Sequence, residues 1–380
     1  MTQLMQSDKS SAAAMLHLVN QLHRTGNRYL RATDIFSRKI SAEIGKTPYE
    51  IVYTEDRLRL KYYRPEKQTV KTPLLLVYAL INRETMLDLE PERSVIRNLL
   101  RGGVEIYMVD WGTPTRKDRF LTIDDHVNGY IDRLVDVICR RHRISMVNMM
   151  GVCMGGTFIT MYSALHPEKV RNLITSVTPI QFDTDKGLLH RWMKELDADA
   201  LVDSMGNVSG DFLNMAFLML NPSRLVIEKY KNFFDHIDDA PFLETFLRME
   251  KWIFDSPDVP GETFRQYAKD CYQKNLLIQN KMELGGKKID LKRITMPVLN
   301  FYGQEDHLVP PEASIPFIEN IGTLDGENVA IPTGHIGIYV SSRAQQEFVP
   351  RIVRWLQERD PQEKKRKKRL QIPSSSDLQP

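Results

Sequence analysis

Residues 144–156 read Ile144-Ser145-Met146-Val147-Asn148-Met149-Met150-Gly151-Val152-Cys153-Met154-Gly155-Gly156, and the rest of the reading turns on this stretch. Its first seven residues have the apolar density of a short buried strand. Thr157 to Leu165 has the pattern of a helix, which His166-Pro167 ends. A strand, a tight turn of small residues and a helix are the context of a nucleophile elbow, in which small neighbours permit a strained backbone that lifts one side chain off the sheet. That side chain is a cysteine where hydrolases usually carry serine. Sulfur in this place points to acyl transfer.

An elbow of this kind requires an acid and then a base downstream, each in a loop after a late strand. Thr295-Met296-Pro297-Val298-Leu299-Asn300-Phe301-Tyr302 reads as a strand, and Gly303-Gln304-Glu305-Asp306 follows it. Asn328 to Pro332 is a shorter strand-like run, followed by Thr333-Gly334-His335-Ile336-Gly337. Singly, such residues are ordinary turn and loop residues; the order Cys153, Asp306, His335 and the shared loop context give them weight. Cys139 reads as a helix-face core residue, and Cys271 has no companion at metal-ligand spacing. His307, beside the proposed acid, lacks the flanking glycines of His335 and ranks below it.

Upstream of the elbow, strands (74–79, 104–110, 144–150, 171–177) alternate with helices (92–101, 124–141, 155–166), after a hairpin from Tyr49 to Tyr63 turned at Glu55-Asp56. This rhythm predicts an α/β-hydrolase fold: a mostly parallel, helix-covered sheet. Between Thr178-Pro179 and Met296-Pro297 the rhythm stops and a helical pattern rich in Met and aromatics takes over. The expected organisation is an N-terminal helical segment (1–45), core (46–179), an inserted, mainly helical cap (180–294), core again (295–360), and a basic tail (361–380) with the composition of a disordered end. Apolar stripes in the cap pack on the core or on another subunit. Part of them, around Phe217 and Trp252, is expected to line an acyl or polymer channel.

Charge and composition exclude several classes. The formal charge is +3, but Lys364-Lys365-Arg366-Lys367-Lys368-Arg369 contributes six, so the remainder carries 3 − 6 = −3. The basicity belongs to the tail and does not imply a nucleic-acid partner. No apolar run has the length of a membrane span, no secretory pattern opens the chain, and three unpatterned cysteines fit a reducing compartment, so a cytoplasmic protein is expected. No clustered Cys/His set or phosphate-loop glycine pattern implies a metal or a dinucleotide cofactor.

The elbow Gly151-Val152-Cys153-Met154-Gly155-Gly156, the run Pro73-Leu74-Leu75-Leu76-Val77-Tyr78-Ala79-Leu80-Ile81-Asn82-Arg83, Val109-Asp110-Trp111-Gly112 and Gly334-His335 together resemble the polyhydroxyalkanoate synthases. The short length is that of the two-subunit types, class III with class IV next. The likeness runs from about residue 45 to Trp355; the basic tail departs from it. The resemblance implies growth of a polyester from (R)-3-hydroxyacyl-CoA, 3-hydroxybutyryl-CoA foremost, with the growing chain held on Cys153. It further implies a second, separately encoded synthase subunit, a homo-oligomer and a place at the surface of polyester granules.

Attack by Cys153 exchanges one thioester for another and keeps the acyl group activated, which a serine ester would not. His335 would take the thiol proton. Asp306 either orients His335 or helps it activate the attacking 3-hydroxyl. The amide of Met154 is the expected oxyanion donor, with a second near Leu80. Two other classes stand beside this one: a thiol hydrolase of the same fold (esterase, lactone hydrolase or polyester depolymerase), and a non-catalytic granule-surface protein with a relic site.

Overall fold

The computed structural model describes residues 44–360; nearly all of the expected N-terminal helical segment, and the basic tail, lie outside the described residues. Strands β1 (Glu50–Glu55) and β2 (Leu58–Tyr63) form an antiparallel hairpin turned at Asp56, which takes a left-handed φ of 51°. The chain then lays down β3 (Val70–Val77), β4 (Val104–Asp110), β5 (Val147–Val152) and β6 (Val170–Ser176). A small hairpin, β7 (Glu283–Leu284) with β8 (Lys287–Lys288), precedes β9 (Val298–Gly303) and β10 (Gly326–Ile331). The main sheet has eight strands in the order β1-β2-β4-β3-β5-β6-β9-β10. It is antiparallel as far as the β2–β4 pair and parallel from β4 onward.

The central strands are mostly apolar because helices cover both faces. Every residue of β4 and β5 is buried. Among these apolar residues runs a line of amides. Asn172 donates to Asn148 Oδ1 at 2.8 Å, and Asn148 donates to the Thr72 carbonyl at 2.8 Å. Asn300 accepts from Thr175 at 2.8 Å and donates to Asn328 Oδ1 at 2.7 Å. Asn148 opposes Asn172 and Asn300 opposes Asn328 in the strand register. A one-residue slip would turn these side chains to the other face and strand them without partners, so the line pins the register that sets where each strand ends.

Between β6 and β9 the chain leaves the sheet for a series of helices, the longest being Ala240–Phe254, with Gly210–Leu220 packed beside it. This layer is fastened to the loop after β3. Trp252 Nε1 donates to the Arg83 carbonyl at 2.8 Å, Thr245 and Arg248 reach Glu90 at 3.0 Å, and Asn82 donates to Ser256.

Candidate active site

Val152 ends β5 and Met154 begins the helix Met154–Leu165, so Cys153 must reverse the chain within one residue; it does so at φ 51°, ψ −123°. A non-glycine residue there is strained, and the surrounding packing holds it. The approach is close enough to explain the flanking glycines. A Cβ on Gly155 would meet the carbonyl oxygens of Val77 and Tyr78 at 2.4 and 2.5 Å, and one on Gly151 would meet the Gly156 Cα at 2.5 Å.

The loop after β9 carries Asp306, buried and fully occupied: Oδ1 accepts the amides of Leu308 and Val309, both at 2.9 Å, and Oδ2 lies 2.7 Å from Nδ1 of His335. His335 stands in the loop after β10, lining the same cavity as Cys153 and close enough for the sulfur to act on its charge. Burial alone would push the histidine toward its neutral form. The Asp306 carboxylate and the Cys153 sulfur outweigh that, raising its pKa to about 10. Three segments far apart in the chain thus bring sulfur, imidazole and carboxylate together at one cavity.

Cys153 and His335 open into a cavity of about 1220 Å³. Phe217, Leu218, Phe242, Met249 and Trp252 give it an apolar wall on the helical side. Tyr78, Ala79, Ile81 and Asn82 bring the loop after β3 to its edge. Leu80 belongs to the same loop but lines a different, small pocket with Trp111 and His126. His307 lines the cavity near Asp306, with a pKa that burial lowers. Cys139 packs half-buried against the core, and Cys271 is fully buried in it. Among the described residues no group of three or more His, Cys, Asp or Glu side chains could hold a metal ion, and no helix is long and apolar enough to cross a membrane.

Sequence reasoning overlooked what holds the loop after β3. Trp111 Nε1 donates to the Tyr78 carbonyl at 2.9 Å. Behind it, buried Lys61 lies 2.6 Å from Glu84 and 3.1 Å from Asp110, which also binds Arg59 at 2.7 Å and accepts the Gly112 amide at 3.0 Å. Burial opposes ionisation of Asp110, but Lys61 outweighs it and keeps the carboxyl below its ordinary range. The quoted Val109-Asp110-Trp111-Gly112 run was the available signal; its partners Lys61 and Glu84 lie too far away in sequence to be paired with it.

Comparison with known proteins agrees with this architecture. A family model described as alpha/beta hydrolase fold matches residues 72–342, and one described as the N-terminus of poly-beta-hydroxybutyrate polymerase (PhaC) matches residues 1–99. The chain is 51% identical over 319 residues to the "Poly(3-hydroxyalkanoate) polymerase subunit PhaC" of Thiocystis violacea, covering 83% of this chain and 90% of that one. It is 44% identical over 325 residues to the protein of the same name from a Synechocystis strain, covering 83% and 86%. Among solved structures, a putative non-heme bromoperoxidase from Mycobacterium tuberculosis superposes with a TM-score of 0.53 at 15% identity, covering 82% of this chain and all of that one. At that identity it speaks for the fold alone.

Proposed function

The chain belongs to the poly(3-hydroxyalkanoate) polymerase family, and from that premise we propose that it is the catalytic subunit of a synthase that polymerises (R)-3-hydroxyacyl-CoA, with 3-hydroxybutyryl-CoA as principal substrate. The observation that carries the reading is the row Cys153–His335–Asp306 at the floor of a large, mostly apolar cavity.

In this reading His335 accepts the Cys153 proton, and the thiolate attacks the acyl carbon. The new sulfur–carbon bond forms as the carbon–sulfur bond to CoA breaks, and CoA leaves with the proton that His335 held. His335 then takes the proton of an attacking 3-hydroxyl, an ester bond forms, and Cys153 is released as thiolate. Both oxygens of Asp306 are engaged, one by backbone amides and one by His335; this supports its acting as the group that orients the imidazole and stabilises its cation. The Met154 amide, at the start of its helix, suits the oxyanion, and a second donor comes from the loop after β3. Leu80 was the sequence-based assignment for that donor; the cavity-lining position of Ala79 favours the Ala79 amide.

The relatives carry the word subunit in their names, which supports a second, separately encoded synthase subunit; a homo-oligomer and a site of action at polyester granules complete the proposal. The test is incubation with 3-hydroxybutyryl-CoA, with and without a co-expressed partner. Release of CoA with insoluble polyester supports the synthase, whereas CoA with free hydroxy acid would make the protein a thiol hydrolase.

A further inference from the structure

The cavity wall carries four arginine and lysine side chains, and three are already matched to carboxylates. Arg93 lies 3.1 Å from Glu90, Arg248 lies 3.0 Å from Glu90 and 3.2 Å from Glu244, and Lys229 pairs with Glu250. The fourth is Arg224. Its backbone amide donates to Asn221 Oδ1 at 3.2 Å, but its guanidinium has no carboxylate partner among the described residues. The side chain is exposed, and it lines the cavity with Leu225 and His307.

A cation left unmatched on the wall of a reaction cavity is placed for an anion that arrives with the substrate. An acyl-CoA supplies one. Its acyl end must reach half-buried Cys153, while its diphosphate and 3′-phosphate stay in water near the opening. The planar, permanently charged fork of arginine matches phosphate oxygens two at a time. The paired cations would have to give up a carboxylate before offering as much.

We propose that Arg224 is the phosphate-recognition residue of this site, contacting the carrier half of the thioester substrate and taking no part in the acyl chemistry. The proposal rests on the synthase reading above for the identity of the carrier. A charge-assisted hydrogen bond contributes about 1.5–3 kcal/mol, so its loss corresponds to roughly a 10- to 100-fold change in affinity.

The experiment compares Arg224→Gln and Arg224→Lys with the wild type on two thioesters of the same hydroxyacyl group, one on CoA and one on N-acetylcysteamine, which has no phosphate. The expected result is a roughly 10- to 100-fold higher KM for the CoA thioester in Arg224→Gln, with kcat little changed. Arg224→Lys should recover part of the loss, and the N-acetylcysteamine thioester should show no difference among the three proteins. Equal losses on both thioesters would assign Arg224 a structural role, and no loss on either would remove it from the site; both results overturn the proposal. A dephospho-CoA thioester adds a further arm: a deficit that persists assigns the diphosphate as partner, and one that vanishes assigns the 3′-phosphate. A wild-type protein that releases no CoA from 3-hydroxybutyryl-CoA would instead sink the synthase reading, a result distinguishable from either.

Discussion

His335 Nδ1 lies 2.7 Å from Asp306 Oδ2, and the other oxygen of that carboxylate is held by the amides of Leu308 and Val309. The carboxylate therefore cannot turn away from the ring without giving up two backbone hydrogen bonds. One ring nitrogen is thereby committed to the carboxylate, and only the other is left to serve Cys153 in the proposed proton transfer.

Replacing Asp306 with Asn should slow turnover by several orders of magnitude, as loss of a member does in comparable triads. It should also alter the dependence of stability on pH. His335 has its pKa raised from 6.5 to about 10, so the stabilisation is fully present below pH 6.5 and is lost as pH rises through about 10. Urea unfolding at pH 6, 8 and 10 should show the wild type losing stability across that window and Asp306→Asn losing less. Parallel curves for the two proteins would show that the carboxylate does not hold the imidazolium.

The elbow glycines differ sharply from a glycine elsewhere. In Gly155→Ala the new methyl must enter the space of two backbone carbonyl oxygens, at 2.4 and 2.5 Å, and backbone cannot step aside as a side chain can. Loss of soluble protein, or destabilisation of more than about 3 kcal/mol, is expected. Gly129 lies in the helical turn Asp125–Ile131 with nothing within 4 Å of the added carbon. Gly129→Ala should be neutral or stabilising by up to about 1 kcal/mol. Thermal midpoints of the two variants decide the matter; equal effects would remove the close-approach argument.

Asn300 is wholly buried and links Thr175, Asn328 and the Ser314 carbonyl. Asn300→Leu should therefore cost about 2–4 kcal/mol, because it leaves several buried polar groups unpaired. Urea titration measures this. A cost below about 1 kcal/mol would mean that water or a shift of neighbours replaces the amide.

Phe217 lines the cavity but is only half buried, so a polar replacement there should be tolerated by the fold. In Phe217→Gln the ratio of kcat/KM for longer over shorter hydroxyacyl-CoA substrates should fall about tenfold with an unchanged thermal midpoint. A change in stability with no change in that ratio would assign Phe217 to packing alone.

The elbow was legible because the small residues around Cys153 are required by distances that any such turn imposes, so composition and spacing carry the geometry. Asp306 and His335, which the structure brings within 2.7 Å, were legible as candidates because each follows a strand whose apolar run marks where a loop must begin. Boundaries were less visible. The helix expected from residue 92 begins at Val95, because Pro91–Arg93 makes a separate tight turn and Ser94 Oγ caps the helix by accepting the Arg97 amide at 3.0 Å. The strand expected from residue 144 begins at Val147, after Arg143 ends the preceding helix with a φ of 56°. The separate pocket that Leu80 lines, the burial of Cys271 and the Lys61–Glu84–Asp110 cluster were hidden for one reason: each depends on which segments meet in space, and a periodicity reports only one segment at a time.

The most direct test of the account is the site of covalent loading. After a short incubation with 3-hydroxybutyryl-CoA, the protein should be digested and its peptides analysed by mass spectrometry. The account predicts a hydroxyacyl group in thioester linkage on Cys153 in the wild type, accumulating in Asp306→Asn, and no loading in Cys153→Ala. An acyl group found on Cys153→Ala protein, or carried by another residue of the wild type, would contradict it.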